Sequence, residues 1–167
     1  MSFNLQAKAF ILDTPAFLSG LISPLAPNFT VYQVIKELKK FSFDFYSSYF
    51  SAVVKVRQPT QESLRSVEKI ALASGDLQVL SATDLSLLAL AHQIHFETEL
   101  ELTLVTDDYA IINVGKAMNL EHILIGIKKE RFRQLIWKWY CPVCHRLYKG
   151  GQTKCAECGV SLRRSTR

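Results

Sequence analysis

Short apolar runs alternate along this chain with segments in which apolar residues recur every three or four positions. The runs are rich in β-branched and large aliphatic residues, as strands are, and they cover 7–13, 52–57, 100–106 and 122–127. The periodic segments have the spacing of helices, and they cover 31–40, 61–74, 85–95 and 108–118. Strands that alternate with helices predict an α/β fold, in which a parallel sheet carries helices on both faces.

Local signals place several of the helix ends. Thr14-Pro15 follows the first strand and is typical of a helix start, whereas Gly75 is expected to end the helix 61–74. Ser81-Ala-Thr-Asp84 has the form of a capping box just before the strongly apolar segment 85–95. These signals support the predicted order of elements.

Residues 41–50 are densely aromatic and favour no single element. Aromatic residues alternate at Phe41, Phe43 and Phe45, as in a strand. The spacing of Tyr46, Tyr49 and Phe50 instead fits one helical face. We therefore assign no secondary structure and no role to this segment from the sequence.

The four cysteines of the chain form two pairs near its C-terminal end. Cys141-Pro-Val-Cys144 is followed, after ten intervening residues, by Cys155-Ala-Glu-Cys158. Two CxxC pairs at this spacing predict one tetrahedral zinc site, and four sulfur ligands leave no open position for catalysis. A disulfide framework is disfavoured because the rest of the chain is a cysteine-free globular body. The sequence therefore predicts a structural zinc ribbon.

Charge divides the chain into two unequal parts. Residues 1–127 hold 9 Lys and Arg against 13 Asp and Glu, whereas residues 128–167 hold 11 Lys and Arg against 2 Glu. A small module with a net charge of +9 beside a body of −4 suggests that one part binds a polyanion and that the other needs carboxylates. Solubility alone is the simpler explanation for a basic tail.

Composition sets the remaining expectations. The chain has 167 residues, of which 49% are hydrophobic, enough for one domain with its own core and a small metal-stapled module. No apolar run approaches the about 20 residues that span a membrane, and residues 1–9 do not resemble a secretory leader. We expect a cytoplasmic, soluble protein without membrane partners, and a monomer because no long apolar surface stripe is evident.

Five carboxylates are candidates for a site. Three of them follow predicted strand ends, where open parallel sheets collect their sites, and two lie on helices; they are Asp13, Asp107, Asp108, Glu37 and Asp84. Ordinary helix capping explains several of these acids equally well. If they converge, however, their mutual repulsion requires a cation, and oxygen ligands suit magnesium or manganese.

Acids around such a cation point to nuclease chemistry. A bound divalent ion can neutralise a bridging phosphate and lower the pKa of an attacking water, and a second ion can stabilise the leaving oxygen. Competing chemistries have little support, since the sequence holds no GxxxxGK phosphate loop and no glycine-rich dinucleotide turn.

The acidic segments resemble the successive motifs of PIN-domain nucleases. With the cysteine pairs behind them, they resemble the Nob family of endoribonucleases in its short archaeal form, over nearly the whole chain. The matching segments are Leu12-Asp13-Thr14, Val34-Ile-Lys-Glu37, Leu80-Ser-Ala-Thr-Asp84, Leu88-Ala-Leu-Ala91 and Val105-Thr-Asp-Asp-Tyr-Ala110 with Asn113.

The resemblance implies an activity and a set of residues. It implies a metal-dependent endoribonuclease that forms the mature 3′ end of small-subunit ribosomal RNA within a pre-ribosomal particle, with no DNA substrate. The metal-binding catalytic acids would be Asp13, Glu37, Asp84 and Asp108. Asp107 fills a variable slot of the last motif and is an additional candidate. The basic C-terminal part would hold the RNA by its phosphates.

Taken together, these patterns predict four segments. They are a PIN-like nuclease domain over 1–127, a basic connector over 128–136, the zinc ribbon over 137–162 and a basic tail over 163–167. Two other functions remain open. One is a toxin-like PIN ribonuclease, and the other is a zinc-ribbon RNA-binding assembly factor without activity.

Overall fold

A five-stranded parallel sheet forms the centre of the body. The computed structural model describes residues 7–46, 48–126, 136–148 and 152–165. The predicted connector lies outside these residues except for Ile136. The sheet has the order β3-β2-β1-β4-β5, and its strands are β1 (Lys8–Leu12), β2 (Asn28–Thr30), β3 (Val54–Val56), β4 (Glu101–Thr106) and β5 (Glu121–Leu124).

Six helices connect these strands, which confirms the predicted α/β fold. All four strand pairs are parallel, and the longest ladder joins β1 to β4 from Lys8 opposite Glu101 to Leu12 opposite Val105. The helices are α1 (Thr14–Ser19), α2 (Tyr32–Leu38), α3 (Phe50–Val53), α4 (Gln61–Ser74), α5 (Ala82–Glu97) and α6 (Tyr109–Ala117).

The structure corrects two strand predictions. The first two residues of the predicted strand 52–57 are the end of α3, and only Val54–Val56 pairs in the sheet. The sequence analysis missed β2 altogether, because three residues buried on every side show no periodicity. Tertiary contacts specify β2 instead, since the Asn28 side-chain amide donates to the backbone oxygens of Ser23, Ala26 and Val53.

The aromatic segment 41–50 is neither a long strand nor a long helix. It begins in a single 3₁₀ turn at Lys39–Phe41 and runs into α3. Three of its rings lie 5.9 to 6.2 Å from the ring of Phe17 on α1 in edge-on contacts, and they belong to Phe43, Phe45 and Phe50. The mixed periodicity thus reflects a loop whose inner rings complete the core.

Three further strands form a separate antiparallel sheet around the cysteines. They are β6 (Lys138–Tyr140), β7 (Leu147–Tyr148) and β8 (Arg163–Ser165), in the order β7-β6-β8. The sheet therefore continues to Ser165, three residues into the segment expected as a basic tail. Pairing of Arg163 with Tyr140 and of Ser165 with Lys138 accounts for this extension.

The small sheet docks on the loop between α4 and α5 through buried polar contacts. The Trp137 backbone N–H donates to the Ser74 oxygen at 2.9 Å. Arg164 donates to one carboxylate oxygen of Asp76 at 3.3 Å, and the Asn113 amide donates to the other at 2.6 Å. Only 1% of Asp76 is exposed, so this carboxylate depends on both partners.

Among the described residues, no helix combines the length and the apolar character that a membrane crossing requires.

We predict that Gly75→Ala destabilises the docked sheet more than Gly20→Ala does. Both glycines end helices with positive φ, +80° and +69°, so both substitutions strain the backbone by about 1–2 kcal/mol. A Cβ at Gly75 would also lie 2.5 Å from the Trp137 carbonyl oxygen, whereas a Cβ at Gly20 would meet nothing within 4 Å. Urea unfolding followed by tryptophan fluorescence measures the difference, and equal losses would contradict the close packing.

Candidate active site and metal centre

Four carboxylates converge at the carboxyl edge of the parallel sheet. Asp13 directly follows β1, and Asp108 follows β4 after one intervening residue. Asp84 lies in the first turn of α5, and Glu37 lies in the last turn of α2. Their charges act on one another, since Glu37 and Asp84 both raise the pKa of Asp13 and since Asp108 and Glu37 raise that of Asp84. The tertiary structure thus brings together four of the five candidate acids.

Asp13 is the most constrained of the four acids. The Thr106 hydroxyl donates to its Oδ2 at 2.6 Å, and the Thr14 backbone N–H donates to its Oδ1 at 2.7 Å. Its side chain therefore joins the end of β1 to the end of β4 and to the start of α1. With only 7% of its surface exposed, Asp13 lies at the floor of the site.

Glu37 is held against the same helix start. The Thr14 hydroxyl donates to Glu37 Oε2 at 2.8 Å. Glu37 occupies the last turn of α2, so this bond orients its carboxylate toward Asp13 rather than toward solvent. Thr14 thereby links two of the acids, one through its backbone and one through its hydroxyl.

Asp84 and Asp108 both cap helices. Asp84 accepts from the Ser81 backbone N–H at 2.7 Å within a complete capping box, and Asp108 accepts from the Ala110 N–H at 2.6 Å as the N-cap of α6. The capping explanation is thus correct for both, yet both also face the other acids. Helix N-termini favour negative charge, so a capping position helps to hold an acid in such a cluster.

Burial and crowding make the acids costly to ionise together. Desolvation raises the pKa of Asp13 from 3.8 to about 6, although its hydrogen bonds from Thr106 and Thr14 oppose the change. Desolvation also raises the pKa of Asp84 above its ordinary value. A cation between the carboxylates would reverse both effects, since it favours the charged form.

Two other residues of the last motif lie apart from this cluster. The Asp107 side chain is exposed and takes no part in the hydrogen bonds that hold the four acids. Asn113 is buried in α6 and binds Asp76 below the docked sheet. The sequence reasoning missed Asp76, because no motif marks an aspartate that follows a helix-ending glycine.

The donor set at the sheet edge fits a hard divalent cation. All four candidate ligands are carboxylates, which suit Mg²⁺ or Mn²⁺. Among the described residues, only the cysteine cluster is a group of three or more His, Cys, Asp or Glu side chains with ligand atoms within 4.8 Å of one another. The acids are spaced more widely, and Mg²⁺ usually retains several waters that fill such a gap.

The four cysteine sulfurs form a second, tighter group. They belong to Cys141, Cys144, Cys155 and Cys158 and lie within 4.8 Å of one another. The two pairs have matching backbones, with N–H groups at 3.4 Å from the Cys141 sulfur and at 3.3 Å from the Cys155 sulfur. Four sulfurs in this arrangement fit a tetrahedral zinc site without an open position.

The turns after the two cysteine pairs are also equivalent. The N–H of His145 donates to the Cys141 carbonyl, and that of Gly159 donates to the Cys155 carbonyl, both at 2.9 Å. Both residues have positive φ, +57° and +68°. Gly159 thus adopts the left-handed conformation that a tight turn requires, and His145 adopts the same conformation in the first turn.

One tyrosine makes a hydrogen bond to the cysteine cluster. The Tyr148 hydroxyl lies 3.0 Å from the Cys155 sulfur and accepts from the Ala156 N–H at 3.2 Å. Its hydrogen bond lowers the pKa of Cys155 to about 6, which favours the thiolate that a metal requires.

Comparison with known proteins agrees with this geometry. The family described as the PIN domain of ribonuclease matches residues 10–94. Endoribonuclease Nob1 of Pyrococcus abyssi is 33% identical over 92% of this chain and 91% of its own length. Ribonuclease VapC1 of Thermoplasma acidophilum is 33% identical over 93% of this chain and 77% of its own length. Endoribonuclease Nob1 of Methanothermobacter thermautotrophicus is 28% identical over 83% of this chain and 80% of its own length.

The chain is therefore a PIN-domain endoribonuclease. Within that class it belongs to the Nob1 family, whose relatives match both the parallel-sheet body and most of the C-terminal part. This confirms the resemblance that the motifs suggested.

We predict that the metal-free protein loses stability as pH rises, and that Asp13→Asn removes much of this loss. Because the pKa of Asp13 is about 6 in the folded state against 3.8 as reference, the folded state retains a proton that the unfolded state releases between these values. Ionisation of Asp13 therefore lowers the free energy of unfolding by about 3 kcal/mol at pH values well above 6. Asparagine keeps the N-cap without the charge.

Urea unfolding in EDTA at pH 4.5 and pH 7.5 tests this. Relative to Asp13→Asn, the wild type should lose about 2 kcal/mol of unfolding free energy between the two pH values, because about 1 kcal/mol of the cost is already present at pH 4.5. A difference between the proteins that does not change with pH would show that burial of Asp13 carries no such cost.

Proposed function

We propose that this endoribonuclease cleaves the small-subunit ribosomal RNA precursor at the 3′ end of the mature RNA, within a pre-ribosomal particle. The observation that carries the proposal is the convergence of four carboxylates at the sheet edge of a Nob1-family chain that also has a four-cysteine cluster. The family resemblance supplies the ribosomal substrate.

In this proposal, Asp13, Glu37, Asp84 and Asp108 bind catalytic Mg²⁺ or Mn²⁺. When bound, the cation neutralises phosphate charge and activates water for in-line attack on phosphorus. The threonines keep the carboxylates in place, since Thr106 and Thr14 donate to Asp13 and Thr14 also donates to Glu37.

The C-terminal part supplies the RNA affinity. Residues 128–167 have a net charge of +9, and the exposed basic side chains of the described ribbon include Lys138, Lys154 and Arg163. Lysine and arginine on a rigid sheet bind the phosphate backbone with little sequence preference. The four cysteines hold structural zinc, which keeps that sheet folded.

A second candidate is a ribonuclease that cuts unrelated RNAs, of the toxin-like kind. One observation favours it, namely the similarity to a relative named Ribonuclease VapC1. The cysteine cluster and the four relatives named Endoribonuclease Nob1 favour the ribosomal substrate. A third candidate, an inactive RNA-binding assembly factor, does not agree with the family's endoribonuclease activity.

We predict that the protein cuts a labelled RNA spanning the small-subunit 3′ end at one position when Mn²⁺ is present, but not in EDTA. Asp13→Asn should lower the rate by at least about 100-fold, because it removes a charged ligand at the floor of the site. Asp107→Asn is a matched control, since this neighbouring acid is exposed, and it should retain most of the activity.

The same assay separates the candidates. Cutting at many positions in an unrelated RNA would favour the toxin-like ribonuclease. Wild-type protein that binds the precursor without cutting it, with Mn²⁺ present, would contradict the proposed catalytic site.

We also predict that Tyr148→Phe weakens zinc binding by about 10-fold or more, because residues that hydrogen-bond to metal ligands typically contribute this much. The substitution removes only the hydroxyl that lies 3.0 Å from the Cys155 sulfur. Tyr140→Phe, on β6 of the same sheet, is the matched control. Competition with a chromophoric chelator measures the affinity, and an unchanged affinity in Tyr148→Phe would exclude the supporting role.

A further inference from the structure

Three large aromatic side chains are exposed on the segment that follows α2. Phe41, Tyr46 and Tyr49 are 59%, 61% and 57% exposed, and we call these three rings the aromatic platform. Tyr46 lies 5.5 Å from the ring of Phe45, and Tyr49 lies 5.8 Å from the ring of Phe50. Those inner rings pack on Phe17 of the core. The rings of Tyr46 and Tyr49 therefore pack on inner rings on one side and remain exposed to water on the other.

Positive charge is concentrated in the stretch of sequence that carries the same rings. Residues 32–57 hold five Lys and Arg against two acids, a net charge of +3. The rest of residues 1–127 holds four Lys and Arg against eleven acids, a net charge of −7. Lys36, Lys39 and Lys40 are all exposed. The acidic body thus has one basic stretch of sequence, and the platform lies within it.

The segment that carries the platform is connected through the fold to two elements of the acidic site. It follows α2, which carries Glu37, and its inner rings pack on Phe17 of α1, whose N-cap is Asp13. Between Lys39 and Tyr46 the surface also opens into a cavity of about 240 Å³, lined in part by Phe43, Asp44 and Phe45. This is smaller than typical small-molecule sites of about 300–1,000 Å³.

We propose that the aromatic platform binds unpaired bases of single-stranded RNA beside the acidic site, and that Lys36, Lys39 and Lys40 contact its phosphates. Exposed aromatic rings interleaved with cations are the means by which proteins hold single strands, since every base has a face that stacks. The inference rests on the proposed function, because it assigns this surface to the substrate of that site.

The charge pattern distinguishes RNA from an apolar protein partner. Phe96 is 75% exposed, but the acids Glu97 and Glu99 follow it in the chain, whereas exposed lysines precede the platform rings. A partner recognised by apolar contact alone would not require these lysines. A duplex, in turn, keeps its bases stacked inside and offers no free base face.

Binding of RNA by the zinc-loaded full chain without added Mg²⁺ or Mn²⁺ tests the platform, because metal-dependent cleavage is then absent while the ribbon keeps its zinc. The probes are a labelled oligouridine of about 12 nucleotides and an RNA duplex of similar length, followed by fluorescence anisotropy. Tyr46→Ala with Tyr49→Ala should weaken oligouridine binding by at least about tenfold and leave duplex binding nearly unchanged. Tyr46→Phe with Tyr49→Phe keeps both rings and should bind like the wild type.

Two controls make the result specific. Phe96→Ala removes a more exposed ring near the C-terminal end of α5 and should bind like the wild type. Tyr46→Leu with Tyr49→Leu keeps apolar cover over the inner rings without a flat face, and it should lose binding as the alanine pair does. This second pair keeps the test valid if the alanine pair has a lower melting temperature.

The lysines have their own test. Lys39→Gln with Lys40→Gln should reduce the slope of log affinity against log salt by about 1.4, because each phosphate contact on a single strand contributes about 0.7. Lys8→Gln is the control, because Lys8 lies at the start of β1 and Asp13 follows its other end. It should leave the slope unchanged.

Two outcomes would overturn the platform. One is oligouridine binding by the leucine pair at wild-type strength, and the other is an equal loss of oligouridine and duplex binding, which would exclude stacking. The Mn²⁺ cleavage assay judges the proposed function separately. Cleavage by wild type together with normal binding by the leucine pair refutes only the platform, whereas platform-dependent binding without cleavage refutes only the proposed function.

Discussion

Repulsion among four carboxylates at one sheet edge is the constraint on which the rest of this body depends. Three of the acids occupy helix starts, since Asp13 and Asp108 are N-caps and Asp84 completes a capping box. Backbone N–H groups at these helix starts donate hydrogen bonds to the carboxylates, which offsets part of the repulsion among the acids. Glu37, near a helix end, depends instead on the Thr14 hydroxyl. The connections of the parallel sheet thus assemble the site and also offset part of its cost.

The docking of the cysteine-bearing sheet connects the two halves of the molecule. Asp76 is buried and receives hydrogen bonds from Arg164 of β8 and from Asn113 of α6. Because Asp108 is the N-cap of α6 and Asn113 lies within it, one helix contacts both the acidic site and Asp76 below the docked sheet. The ribbon therefore has a defined position relative to the acids, as its proposed role in binding RNA requires.

Some residues could be assigned from sequence because their signal is local. The cysteine pairs, the capping box at Ser81 and the helix-ending Gly75 all have the predicted structure. β2 could not be predicted, since three buried residues have no periodicity. The aromatic spacing within 41–50 indicated no single element, because its rings belong to two surfaces, with Phe45 in the core and Tyr46 in solvent.

The sequence by itself determined the α/β class, the four-cysteine module, the division of charge and the list of candidate acids. Each of these features can be recognised from residue type, spacing or short-range periodicity. Only the tertiary structure decided that four of the acids come together while Asp107 stays exposed. It also decided that Asn113 donates a hydrogen bond to Asp76 and that β8 completes the ribbon sheet. These features join residues that are distant along the chain, and long-range contacts of this kind arise from packing and buried hydrogen bonds that no local pattern encodes.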